Sequence, residues 1–137
     1  MAQFYRDIQI GTVWEGSGNV IALDVLRALN REPELASAFL AECDLGANAG
    51  PYFDAHMMRT REGLAGLAAD PAVAEWSARR VVEDMALALQ ASLLLRNAPP
   101  AVSEAFCAAR LGERGLAFGD LPRTVEGAAI VERALAV

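Results

Sequence analysis

Two proline signals bracket the longest regular stretch of the chain. Asp70-Pro71 is a helix start, since aspartate can cap a first turn and proline suits the first helical position. Asn97-Ala98-Pro99-Pro100 is a stop, because proline lacks an N–H and clashes with the preceding turn. Between these signals the periodicity predicts one helix over 71–96. Val82, Met85, Leu89 and Leu93 make an apolar stripe along it, and Ala86, Leu94 and Leu95 widen that stripe. So broad an apolar surface must be covered on more than one side, which calls for a bundle.

The flanking segments carry the same period. From Asn19 onward, Ile21, Val25 and Leu29 recur at spacing four with Ala22 and Leu26 beside them. Asp24 and Arg27 stand three residues apart and can pair on another face. Pro33 restarts the chain, and 34–44 reads as a short helix with Leu35, Ala38, Phe39 and Cys43 on one side. The run Gly46-Ala47-Asn48-Ala49-Gly50-Pro51 breaks the pattern. A helix follows over 52–69, in which Gly63 and Gly66 weaken propensity and mark close helix–helix approach. A further helix spans 101–114 with Val102, Ala105, Phe106 and Ala109 inward, closed by Gly115. Gly119-Asp120-Leu121-Pro122 opens a last helix to about residue 135. There is no internal repeat. The expectation is an all-α antiparallel helical bundle, with 1–18 as an irregular lead-in and 19–137 as the helical domain.

The 137 residues suffice for one core. With 54% hydrophobic and 22% charged residues, disorder is excluded. No apolar run reaches the roughly 18 residues a membrane span needs. The first seven residues lack the basic flank and apolar stretch of a signal peptide. A cytoplasmic protein is expected, and Cys43 and Cys107, far apart and without a partner pattern, are expected to be reduced, buried thiols. The net charge is −6 and the pI about 4.7. Residues 1–56 hold three arginines against eight acids, and lysine is absent throughout. A GC-rich coding sequence accounts for that usage; recognition of anions by guanidinium groups is the other reading.

Chemistry concentrates in Trp14-Glu15-Gly16-Ser17-Gly18-Asn19, which runs straight into an apolar helix over 20–29. Glycines there let a backbone approach a ligand closely. Ser17 and Asn19 are both good N-caps. The amides and positive dipole end of a helix favour an anion such as phosphate. One turn thus presents a carboxylate, Glu15, beside a phosphate cradle; local capping or pairing of Glu15 is the plainer alternative.

The segment from Ile10 to Leu29 resembles the acyl-CoA dehydrogenase superfamily. Its Trp-Glu-Gly-Ser-Gly-Asn form is similar to the alkylation-response, AidB-like branch, where most superfamily members carry Tyr-Glu-Gly-Thr. Tyr52-Phe53-Asp54, a long helix before Pro99-Pro100, and Phe106-Cys107 agree with that branch in order and length. The resemblance implies the C-terminal helical region of a protein whose N-terminal helical domain and middle β-domain lie upstream. It implies that Glu15 is the general base, taking the α-proton of an acyl thioester while the β-hydride passes to FAD. Such a proton is weakly acidic, so a positioned carboxylate in a dry pocket must accept it. It further implies that Trp14 borders the flavin or acyl site, and that Gly16, Ser17, Gly18 and Asn19 approach FAD. Core packing for Trp14 and ordinary capping for Ser17 and Asn19 are the alternatives. Alone, this region should not catalyse. Homo-oligomer formation through helix surfaces is expected.

Other motifs fail. After Gly16 and Gly18 the third position of a dinucleotide fingerprint is Ile21, and a Walker motif needs a lysine. Asp54 and His56, the sole histidine, do not make a metal site without further ligands, so no metal is expected. Ser103 has no triad context. The branch has also been linked with DNA through its C-terminal region, which makes Arg59, Arg61, Arg79 and Arg80 candidate nucleic-acid contacts. Pairing with Glu62, Glu75 and Glu83 on a solvated surface is the alternative, and a net charge of −6 favours it. A non-catalytic interaction module therefore stands beside the flavoprotein reading.

Overall fold

The computed structural model describes residues 18–112 and 126–135. Trp14, Glu15, Gly16 and Ser17 lie outside the described residues, as do Gly115 and 119–122. Six α-helices follow in order: α1 (Gly18–Arg31), α2 (Glu34–Asp44), α3 (Pro51–Ala69), α4 (Pro71–Asn97), α5 (Pro100–Phe106) and α6 (Gly127–Leu135). A single π-turn, Cys107–Leu111, continues α5. No strand occurs among the described residues. The chain is all-α, as its periodicity predicts.

The proline and aspartate punctuation acts where expected. Asp70 is extended, and its carbonyl accepts the N–H groups of Val73 and Ala74, which opens α4 at Pro71. Asn48 adopts the left-handed conformation at φ 62°, which asparagine tolerates. Its N–H donates to the Asp54 carboxylate at 3.0 Å, tying the loop to the first turn of α3. Arg27 and Asp24 pair at 2.6 Å as their spacing predicts; both are exposed, so the pair contributes at most about 1 kcal/mol.

Helix α4 is the spine. It packs most extensively on α3, and also on α1, α2 and α5. Gly63 faces Val81, while His56 meets Asp84, so α3 and α4 run antiparallel. The apolar interior falls into two clusters along this spine. One joins Ala22 and Leu26 of α1, Leu64 and Leu67 of α3, and Ala74, Ala78 and Val81 of α4. The other joins Cys43 of α2, Phe53 and Met57 of α3, Ala88 and Ala91 of α4, and Cys107 and Leu111 of the π-turn. Buried polar residues His56, Thr60 and Asp84 lie between them.

Four local expectations need correction. The face of α4 that is fully buried is the small one (Ala74, Ala78, Ala88, Ala91 and Ser92, with Val81), while Val82, Met85 and Leu89 are half-buried and Leu93 and Ala86 are exposed. Small side chains let neighbouring helices approach closely, and the bulkier residues then flank the seam. On α1, likewise, Ala22 and Leu26 are buried whereas Ile21 is 41% exposed. The helix over 101–114 is not a continuous α-helix. It becomes a π-turn at Cys107, closed by the Gly112 N–H on the Cys107 carbonyl at 3.1 Å, and buries Cys107, Ala108 and Leu111, while Phe106, packed against the core, and Ala109 are half-buried. Of the two glycines in α3, only Gly63 marks close approach: a Cβ there would stand 3.1 Å from Val81 Cγ2, but one on Gly66 would meet open space.

Candidate functional site

Gly18 and Asn19 are the two candidate FAD contacts among the described residues, and both belong to α1. Asn19 is therefore not the N-cap; it sits exposed in the first turn, one residue past the helix start. Gly18 is backed by Arg79 of α4: a Cβ at this glycine would overlap the guanidinium, which would have to swing aside, so glycine lets the helix start and the arginine lie in contact. Two positive features coincide here, the dipole end of a 14-residue helix and an arginine side chain. Beside them opens a cavity of about 260 Å³, lined by Asn19, Leu23, Trp76 and Arg79, with one acidic residue, Glu75, among the rest. This end of α1 suits an anionic group. Ser17, Gly16, Glu15 and Trp14 immediately precede it in sequence.

The four candidate nucleic-acid arginines do not share one surface. Arg79 stands at Gly18. Arg59 and Arg80 both line a groove of about 820 Å³ between α3 and α4, together with Trp76, Glu62 and Asp70. Arg61 pairs instead with Asp44 of α2. The partners expected for these arginines were Glu62, Glu75 and Glu83; Arg61 takes Asp44, and Arg59 takes His56 and a carbonyl. The difference is one of reach across helices, which spacing along one helix does not reveal.

His56 was legible only as an isolated histidine. It is wholly buried, and its two ring nitrogens are assigned by their neighbours. An Arg59 Nη2–H donates to Nδ1 at 3.1 Å, and a guanidinium has no acceptor, so Nδ1 carries the lone pair. Nε2 then carries the proton and donates to the Asp84 carbonyl at 2.8 Å. Arg59 also donates to the Leu111 carbonyl at 3.2 Å. Thr60 returns its hydroxyl to the His56 carbonyl at 2.9 Å. This set joins α3, α4 and the π-turn through one ring and one guanidinium. The i, i+3 spacing of His56 and Arg59 was the available signal. Among the described residues no group of three or more His, Cys, Asp or Glu is placed to hold a metal.

Both thiols are buried and unlinked. Burial, and then the neighbouring Asp44 and Glu42, push Cys43 up to about 11; burial likewise raises Cys107. Neither is a nucleophile at neutral pH. Ser103 donates to the Pro100 carbonyl at 3.2 Å, a local turn contact. No helix among the described residues is long and apolar enough to cross a membrane.

The chain is 30% identical over 118 residues to "Putative acyl-CoA dehydrogenase AidB" of Escherichia coli (strain K12). The match covers 84% of this chain and 20% of that protein, so the chain spans about a fifth of its relative's length. No family model matches the chain, and no solved structure matches it.

Proposed function

Since the chain is related to the AidB-like branch of the acyl-CoA dehydrogenase family, we propose that it serves as the C-terminal helical domain of a flavin-dependent oxidoreductase acting on CH–CH bonds. The observation that carries this reading is the entrance to α1, where Gly18, Asn19 and the Arg79 guanidinium make a positive, approachable helix start three residues after Glu15 in sequence. These residues fit the diphosphate of FAD: helix amides and a guanidinium are donors only, and a Cβ at position 18 would crowd the place. Gly16, Ser17, Gly18 and Asn19 would hold the cofactor, with Trp14 at its edge. FAD, when bound, supplies the hydride acceptor. In this reading Glu15 takes the α-proton of the acyl thioester. Upstream flavin-binding domains complete the pocket, so this domain does not turn over alone. The setting is cytoplasmic.

The test joins this chain to the upstream domains of its natural polypeptide. A yellow protein is expected, and Glu15→Gln should abolish exchange of the substrate α-proton while flavin absorbance is retained. Exchange that continues unchanged refutes the assignment of Glu15.

A second reading, a homo-oligomeric interaction module, draws on exposed apolar side chains, above all Trp76 at 90% and Leu135 at 79% exposure. A discrete oligomer on size exclusion supports it, and a clean monomer refutes it. The variant of this reading with DNA as partner rests on Arg59 and Arg80 sharing a groove with Trp76. It requires binding that weakens steeply with salt and falls on Arg79→Ala/Arg80→Ala.

A further inference from the structure

A cavity of about 330 Å³ opens at the far end of the bundle from α1, between the start of α3, the end of α4 and the π-turn. Its floor is apolar, with Phe53, Leu95, Cys107 and Ala108; its rim carries Tyr52 and Glu104. Glu104 is the one charged residue lining it, and it is exposed. The walls are held from several sides. Asn48, in its left-handed conformation, is fixed to Asp54 and so places the loop through Ala49 and Gly50. The π-turn swings Cys107 and Ala108 inward, and Gly112 lets the Tyr52 ring lie against the end of that turn, where a Cβ would stand 3.1 Å from its Cε1. Isolated π-turns inside helices recur at functional sites.

The electrostatics select the occupant. The start of α3 offers a dipole end equivalent to roughly +0.5 charge. Against it stands the full charge of the Glu104 carboxylate on the rim, while Asp54 in that first turn is taken up by the Asn48 N–H. The mouth is therefore net negative, and no arginine lines it. Tyr52, 48% exposed, lines the same space, and an aromatic ring is a favourable surface for a cation. The volume is on the order of ten water-sized groups, at the lower end for small-molecule sites.

We propose that this cavity binds a small hydrophobic amine, its apolar body against Phe53, Leu95 and Ala108 and its ammonium group between Glu104 and Tyr52. The site is remote in sequence from the Glu15 turn and independent of the flavin reading. It disfavours carboxylates of the same size.

The test titrates the ¹⁵N-labelled 137-residue chain with phenethylamine, benzyl alcohol and benzoate. Saturable shifts confined to the amides around Phe53, Cys107 and Ala108 are expected with the amine, and benzoate should bind at least about fivefold more weakly. Glu104→Gln, at an exposed position, should weaken the amine about two- to fivefold and abolish its preference over the alcohol. Ala49→Phe, at the mouth, should block all three. Absence of saturable shifts with the amine, equal binding of benzoate, or a preference that survives Glu104→Gln overturns the proposal.

Discussion

Replacing His56 with phenylalanine should destabilise the bundle by about 2–4 kcal/mol, although the new ring is apolar and of similar size. The imidazole hydrogen-bonds to the Asp84 carbonyl and accepts from Arg59. A neutral bond contributes about 0.5–1.5 kcal/mol net and one to a charged group about 1.5–3. Phenylalanine keeps the volume, so the cavity that alanine would leave does not enter. It removes only one partner of each pair, which is the costly case, because the Asp84 carbonyl and the Arg59 guanidinium each lose a partner inside the bundle where His56 is wholly buried. Urea denaturation followed by far-UV circular dichroism measures the effect, with the slope against urea expected to stay unchanged. A paired Arg59→Met variant closes a double-mutant cycle, and the two changes together should cost less than their sum. A His56→Phe protein within about 0.5 kcal/mol of the parent would refute the reasoning, since it would mean that the ring contributes only its bulk.

Gly66→Ala should raise stability by about 0.5–1 kcal/mol, because a Cβ meets nothing there and helix propensity improves. Gly46→Ala should lower it, since the Cβ would stand 3.1 Å from the Ser92 backbone; parallel thermal melts compare the two. Stability should fall as pH rises from about 9 to about 11. In that window the unfolded chain gives up the Cys43 proton while the folded chain keeps it, so the raised value favours folding below the window and the advantage is lost through it. Cys43→Ala should flatten this part of the pH profile in urea titrations, and an unchanged slope would contradict the assignment. If Trp76 anchors an association surface, Trp76→Glu should shift the size-exclusion profile to smaller species without changing the circular dichroism spectrum.

Element boundaries were legible because they rest on covalent geometry. Pro33, Pro51, Pro71 and Pro99-Pro100 restrict the backbone wherever they occur, and the starts of α2, α3, α4 and α5 fall at or within a residue of these signals. Which face turns inward was less legible. Hydropathy ranks Leu93 above Ala88, yet Ala88 is fully buried and Leu93 is 43% exposed, because close approach of two helices rewards small size. The buried histidine network escaped for a related reason: Asp84 takes part through its carbonyl, which any residue possesses. At the candidate site, the glycine-bracketed turn was visible from residue types, whereas the arrival of Arg79 beside Gly18 depends on the packing of α4 against α1 and has no local trace.

Two apolar nuclei, bridged by the half-buried Phe39 and Leu40, share a single long rod. Helix α1 clasps only the first half of α4, and the π-turn clasps only the second. Either end can thus fray while the other keeps its amides protected. Hydrogen exchange should resolve two opening units with different free energies, meeting near Asp84 in the middle of the rod.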